Sequence, residues 1–135
     1  QYWSESDSLY EGLIASDTND VQALNNYSYS LVERNTQLNK SLEMSKKAIE
    51  MEPDNAAYLD TIGWIYFKLN NAQKALYYIR RSIELEGENA VVLEHLGDVL
   101  IATDQMDEAR IIYLRALNLD KNNDVLKQKA GVIPD

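Results

Sequence analysis

A chain of 135 residues with a 45% hydrophobic fraction carries enough apolar side chain to build a core, which excludes a purely disordered segment. Lysine and arginine number 13 against 22 aspartates and glutamates, and the resulting formal charge of −9 repels phosphate backbones, which excludes nucleic acid as a general partner. With no cysteine there is no disulfide framework or thiolate metal site, and no apolar run approaches the roughly 18 to 20 residues that cross a bilayer.

The chain repeats itself. Shifted by 34 residues, LDTIGWIYFKLNNAQKAL (59–76) falls on LEHLGDVLIATDQMDEAR (93–110), placing Leu59 on Leu93, Ile62 on Leu96, Gly63 on Gly97, Tyr66 on Leu100, Ala75 on Ala109 and Ile83 on Leu117. A fixed period of this length marks stacked supersecondary units. In chain order, residues 1–20 align with only the second half of a unit, with Trp3 in the inter-helix turn region, Ser6 at the small-residue place and Tyr10 at the aromatic place. Its partner helix is expected to be missing, which would leave an apolar face open there.

Residues 21–55 form the first full unit, with Leu24, Tyr27, Ser28, Leu31, Ser41, Ala48 and Pro53 at the recurring places. Its NTQLN turn holds one extra residue. Serines stand where later units have Gly and Ala, which predicts slightly wider packing. In residues 56–89, Leu59, Ile62, Tyr66 and Leu69, then Ala75, Leu76, Ile79, Ile83 and Leu85, recur at helical spacing, so each unit is two amphipathic helices. Between them Asn70 and Asn71 suit a turn and a helix cap. Gly63 inside a helix costs about 1 kcal/mol relative to Ala, and close approach of a second helix at Ala75 offsets it. Residues 90–123 repeat the pattern with Leu93, Leu96, Gly97, Leu100, Ala109, Tyr113 and Ala116. Residues 124–135, DVLKQKAGVIPD, begin like another first helix and are expected to stop at Pro134, either as a cap or as the start of a truncated unit.

The set Leu59, Ile62, Gly63, Tyr66, Ala75, Ile79 and its second copy resemble the tetratricopeptide repeat, which places a large residue, Leu-Gly, Tyr, Ala and an aromatic at this spacing. The resemblance covers about residues 4 to 133. It implies an all-α solenoid of antiparallel helix pairs, with three full repeats, an N-terminal half-repeat and a C-terminal capping helix. It also implies a concave wall lined by first helices, on which partner peptides or helices lie.

First-helix places pointing away from the packing stripe give Asn25, Asn26 and Tyr29, then Asp60, Thr61, Trp64 and Phe67, then Glu94, His95, Asp98 and Ile101. Tyr29, Trp64 and Asp98 share one place in successive repeats and are the expected ligand anchors. Asn25 and Asn26 are expected to bond the ligand's backbone, and Asp60 and Glu94 to meet its cations. On the same helices Lys68 alone offers a compensating charge, so the groove is expected to favour a basic and apolar protein or peptide. Filler between repeats is the competing reading for Trp64 and Phe67, and a solvated face for the acids. In family members that grip a C-terminal carboxylate, first helices supply Lys, Asn and Arg. The matching places here hold Asn25, Tyr29, Thr61, Val91 and His95, so that clamp is absent.

His95 with Glu94 and Asp98 offers only one imidazole, too little for a metal site, and neither a nucleophile elbow nor a Gly-rich phosphate loop occurs. The expectation is no catalysis, no metal and no cofactor. Lys46, Lys47, Arg80, Arg81, Arg110 and Arg115 all fall on second helices, which segregates basic charge to the outer wall. The phrasing resembles tetratricopeptide repeats of bacterial proteins of the cytoplasm or cell envelope. Together with the missing initiator Met, it suggests a segment of a longer chain. Two functions follow: an interaction scaffold with a groove for a partner, or a spacer or self-association module acting through the open face of residues 1–20.

Overall fold

The computed structural model describes residues 2–134. Among them are eight helices and no strand: α1 (Tyr2–Ser16), α2 (Val21–Glu33), α3 (Leu38–Met51), α4 (Ala56–Lys68), α5 (Ala72–Glu86), α6 (Ala90–Ala102), α7 (Met106–Leu119) and α8 (Asp124–Lys129). Helices α2 with α3, α4 with α5 and α6 with α7 form hairpins, and each second helix also packs on the next first helix. The backbones of α2, α4 and α6 approach one another in series, and the second helices do so less. The stack therefore curves with its first helices inside, as a helical solenoid does.

Helix starts follow from side chains that satisfy otherwise orphaned N–H groups. Asp20, Asn55, Asn71, Asn89 and Asn123 cap α2, α4, α5, α6 and α8, accepting from Ala23, Tyr58, Lys74, Val92 and Leu126 at 2.9 to 3.2 Å. The turns inside the hairpins need left-handed backbone, found at Asn35, Asn70 and Asp104 (φ 52, 64 and 61). The extra residue of the first turn shows as a second such position, Gln37 (φ 47), which caps nothing.

The main core runs from Ile62 to Ala130, through Tyr66, Ile79, Leu93, Leu100 and Tyr113. A Cβ on Gly63 would lie 2.7 Å from Ile79 Cγ1 and 3.3 Å from the Ala75 carbonyl, so close approach explains this glycine. On Gly97 the obstacle is the ring of Tyr113. In the first unit Ser41 Oγ donates to the Ser28 carbonyl at 2.8 Å, and Ser28 Oγ donates to Leu24 O at 2.7 Å. Both serines are fully buried, and the Ser41 hydroxyl ties α3 to α2 while that of Ser28 closes on its own helix.

Two terminal expectations are corrected. Trp3 lies within α1 rather than in a turn, and the Arg34 guanidinium sits 4.7 Å above its ring while also pairing with Asp7 at 2.7 Å. Helix α8 ends at Lys129, before Pro134, because Gly131 (φ 76) takes a conformation that ends helices readily. Among the described residues no helix is long and apolar enough to cross a membrane.

Candidate functional site: the inner groove

Two adjoining clefts occupy the inner wall. The upper one, about 490 Å³, is lined by Asn25, Asn26, Tyr29, Asp60 and Thr61, joined by Tyr10 from α1 and by Ser82 and Glu86 from α5. The lower one, about 600 Å³, is lined by Tyr29, Trp64, Phe67, Glu94, His95 and Asp98, with Glu33, Lys68 and Lys129. Tyr29 and Val91 belong to both and form the ridge between them. Except for Ile101, which is exposed and lines neither, every groove candidate read from the sequence faces one of these clefts.

Their chemistry differs from the expectation in several ways. Trp64 is only 7% exposed. Its ring stacks on His95 at 4.0 Å and on Phe67 at 5.0 Å, its Nε1 donates to Glu33 at 3.2 Å, and the Lys68 ammonium stands 4.9 Å over it. It is part of the groove floor. Asp60 is also buried, and His95 Nδ1 lies 3.1 Å from both of its carboxylate oxygens. An ionised carboxylate only accepts, so Nδ1 is the donor. Asp60 is therefore occupied from within the protein, and His95 turns toward α4.

Lys129 supplies a charge absent from the first-helix reading. Its ammonium contacts Glu94 at 2.7 Å and Asp98 at 3.0 Å. Asp98 also accepts from the Tyr113 hydroxyl at 2.6 Å. Sequence reasoning passed over Lys129 because residues 124–135 read as a cap; its place, 34 residues after His95 and 68 after Thr61, was the signal that could have found it. Burial pulls the Lys129 ammonium down, but its bonds to Glu94 and Asp98 outweigh this and leave its pKa raised. Burial first, then the bond to Asp98, pushes the Tyr113 phenol up. Tyr29 is pushed up to about 12, first by burial and then by the charges of Glu33 and Asp60. Glu33 and Asp60 thus face Tyr29 from two neighbouring first helices.

The basic outer wall is likewise engaged. Arg80 pairs with Glu108 at 3.3 Å, Arg81 with Asp54 at 2.8 Å and Arg115 with Glu88, while Arg110 Nε donates to the Ala130 carbonyl at 3.1 Å. These contacts join one repeat to its neighbour.

Residues 56–89 and 90–123, together half of the chain, each match the family model of the tetratricopeptide repeat. The chain belongs to the tetratricopeptide repeat family. A TPR repeat-containing protein of Pseudomonas aeruginosa, PA4667, is 36% identical over 67 residues, which are 47% of this chain and 11% of that relative. Among solved tetratricopeptide structures, TTC0263 of Thermus thermophilus superposes with a TM-score of 0.79 at 19% identity, covering 93% of this chain and 70% of that one. YrrB, described as a TPR protein with an unusual peptide-binding site, gives 0.76 at 22% identity over 90% of this chain and 62% of that one. The first TPR of Spaghetti, bound to the HSP90 peptide SRMEEVD, gives 0.75 at 17% identity over 86% and 94%. At these identities the likeness establishes the solenoid fold.

Proposed function

We propose that the protein is a non-enzymatic scaffold whose inner groove holds an extended peptide or helix of a partner that carries basic and apolar side chains. The observation that carries this reading is the upper cleft: about 490 Å³, open to solvent, lined by Asp60 and Glu86 and by no lysine or arginine. Tyr29, half-buried on the ridge, supplies an aromatic contact to ligand in either cleft, and exposed Asn26 offers its amide to the ligand's main chain. Trp64 and Phe67 act as an apolar floor. The Spaghetti domain holds an acidic peptide, and the cation-rich places needed for such a ligand are filled here by Asn25, Tyr29, Thr61, Val91 and His95.

Fluorescence anisotropy with randomised nonapeptide pools, one with a fixed central lysine and one with a fixed central glutamate, tests the reading. The lysine pool is expected to bind and the glutamate pool to stay free, with Tyr29→Ala weakening binding about tenfold at unchanged helicity. Absence of binding by every pool would defeat the proposal.

A second reading, self-association, is favoured by one feature: Leu9 and Leu13 of α1 are 72% and 51% exposed. Sedimentation equilibrium decides it, since a mass independent of concentration is incompatible with association through that face.

A further inference from the structure

Two rows of side chains meet along the groove floor. Asn25, Asp60 and Glu94 hold one place in successive first helices, and Thr61, His95 and Lys129 hold the next place in the helices that follow. Asp60 is met by His95 Nδ1 at 3.1 Å and Glu94 by Lys129 Nζ at 2.7 Å, each donor lying 35 residues after its acceptor. The remaining pair is Asn25 with Thr61. There the hydroxyl is spent on the carbonyl of Ala57 at 3.0 Å, inside its own helix. Asn25 is 7% exposed, and its Oδ1 meets no donor among the described residues. A buried acceptor without a donor lowers stability unless something else supplies the hydrogen bond.

The surroundings indicate what does. Asn25 lines the upper cleft with Asp60 and Glu86, in which Tyr29 feels negative charge and no lysine or arginine is present. Glu86 is exposed and has no cationic partner among the described residues. At the other two steps of the row the acceptor is taken by a nitrogen of a basic side chain. We propose that the upper cleft at Asn25 is a subsite for a lysine or arginine side chain of the ligand, whose nitrogen takes at Asn25 the place that His95 and Lys129 take at Asp60 and Glu94. The subsite rests on the groove reading above and narrows it: the cation enters between α2 and α4, and Asn25 contacts this side chain in place of the ligand's main chain.

Two substitutions that keep the number of side-chain heavy atoms test the subsite. Asn25→Leu removes the orphaned oxygen, so it is expected to keep or raise the melting temperature while weakening binding of the lysine pool about tenfold or more. Asn25→Asp makes the row uniformly acidic and is expected to tighten that pool several-fold in low salt, with the gain fading as salt rises. A pool with a fixed central norleucine serves as the uncharged control. Equal binding of lysine and norleucine pools, or unchanged lysine-pool affinity in a folded Asn25→Leu protein, overturns the subsite and leaves the groove standing. Failure of the wild type to bind any pool overturns both. If Asn25→Leu does not fold, the Asn25→Asp titration decides alone, and no gain in lysine-pool affinity there overturns the subsite.

Discussion

Gly97 shows how much one missing carbon carries. A Cβ there would press into the Tyr113 ring, whose Cδ1 stands 2.7 Å away, and that ring is 4% exposed and anchored by its hydroxyl to Asp98. Gly97→Ala is expected to destabilise by about 1 to 3 kcal/mol, measured by urea unfolding, because overpacking outweighs the gain in helix propensity. Gly12 in α1 has nothing within 4 Å of its Cβ position, so Gly12→Ala should stabilise, by about 0.5 to 1 kcal/mol. A pH prediction belongs to the same scale. The Tyr29 pKa, raised from 10.0 to about 12, means that the folded state holds its phenolic proton more tightly than the unfolded chain does. Its contribution is fully present below pH 10.0 and is lost as pH rises toward about 12, so stability should fall through that window. Ultraviolet difference titration of wild type against Tyr29→Phe checks this: the late-titrating phenol should vanish in the variant.

At the scale of elements, α8 is the clearest case of a short helix with a large role. Leu126 and Ala130 are buried in the main core, and Arg110 reaches the Ala130 carbonyl. This anchorage is what holds Lys129 over Glu94 and Asp98. Leu126→Ala is expected to cost about 2 to 5 kcal/mol by cavity formation in urea unfolding. It should also release Lys129 from Glu94 and Asp98, seen as the loss of the upward shift that those two bonds give the Lys129 ammonium. Helix α1 is held at the other end by different means: Lys40 bonds to Glu11 at 2.7 Å, the Tyr27 hydroxyl to Glu11 at 2.9 Å, and Tyr10 stacks on Tyr27 at 5.4 Å. Most of these contacts are polar and partly exposed, and they add little stability each.

For the molecule as a whole, contacts run between sequence neighbours and between adjacent repeats, so stability propagates along one dimension. The main core draws on α4 through α8, whereas among the described residues α1 contributes no buried side chain to it. Hydrogen exchange is therefore expected to be slowest in α4 through α7 and fastest in α1. Equal protection in α1 and α5 would contradict this one-dimensional picture. The curvature of the stack brings three first helices and the start of a fourth onto one concave wall, and residues far apart in sequence meet there. The chain spans 11% of its Pseudomonas relative and 62% of YrrB.

The sequence by itself determined the solenoid and the inward face. Helical spacing and a 34-residue period are local properties that fix which side of each helix is apolar, and Asn25, Asn26, Tyr29, Asp60, Thr61, Trp64, Phe67, Glu94, His95 and Asp98 were found from that register. Tertiary structure alone decided which of those groups are spent. Asp60 and His95 lie 35 residues apart, Trp64 and Glu33 31, and Lys129 and Asp98 31, so their pairing depends on how adjacent repeats stack. Side-chain reach is set by interhelix distances that no single helix encodes. The same geometry that occupies the acids at Asp60 and Glu94 leaves Asn25 unoccupied, because Thr61 is too short and already bonded within its own helix.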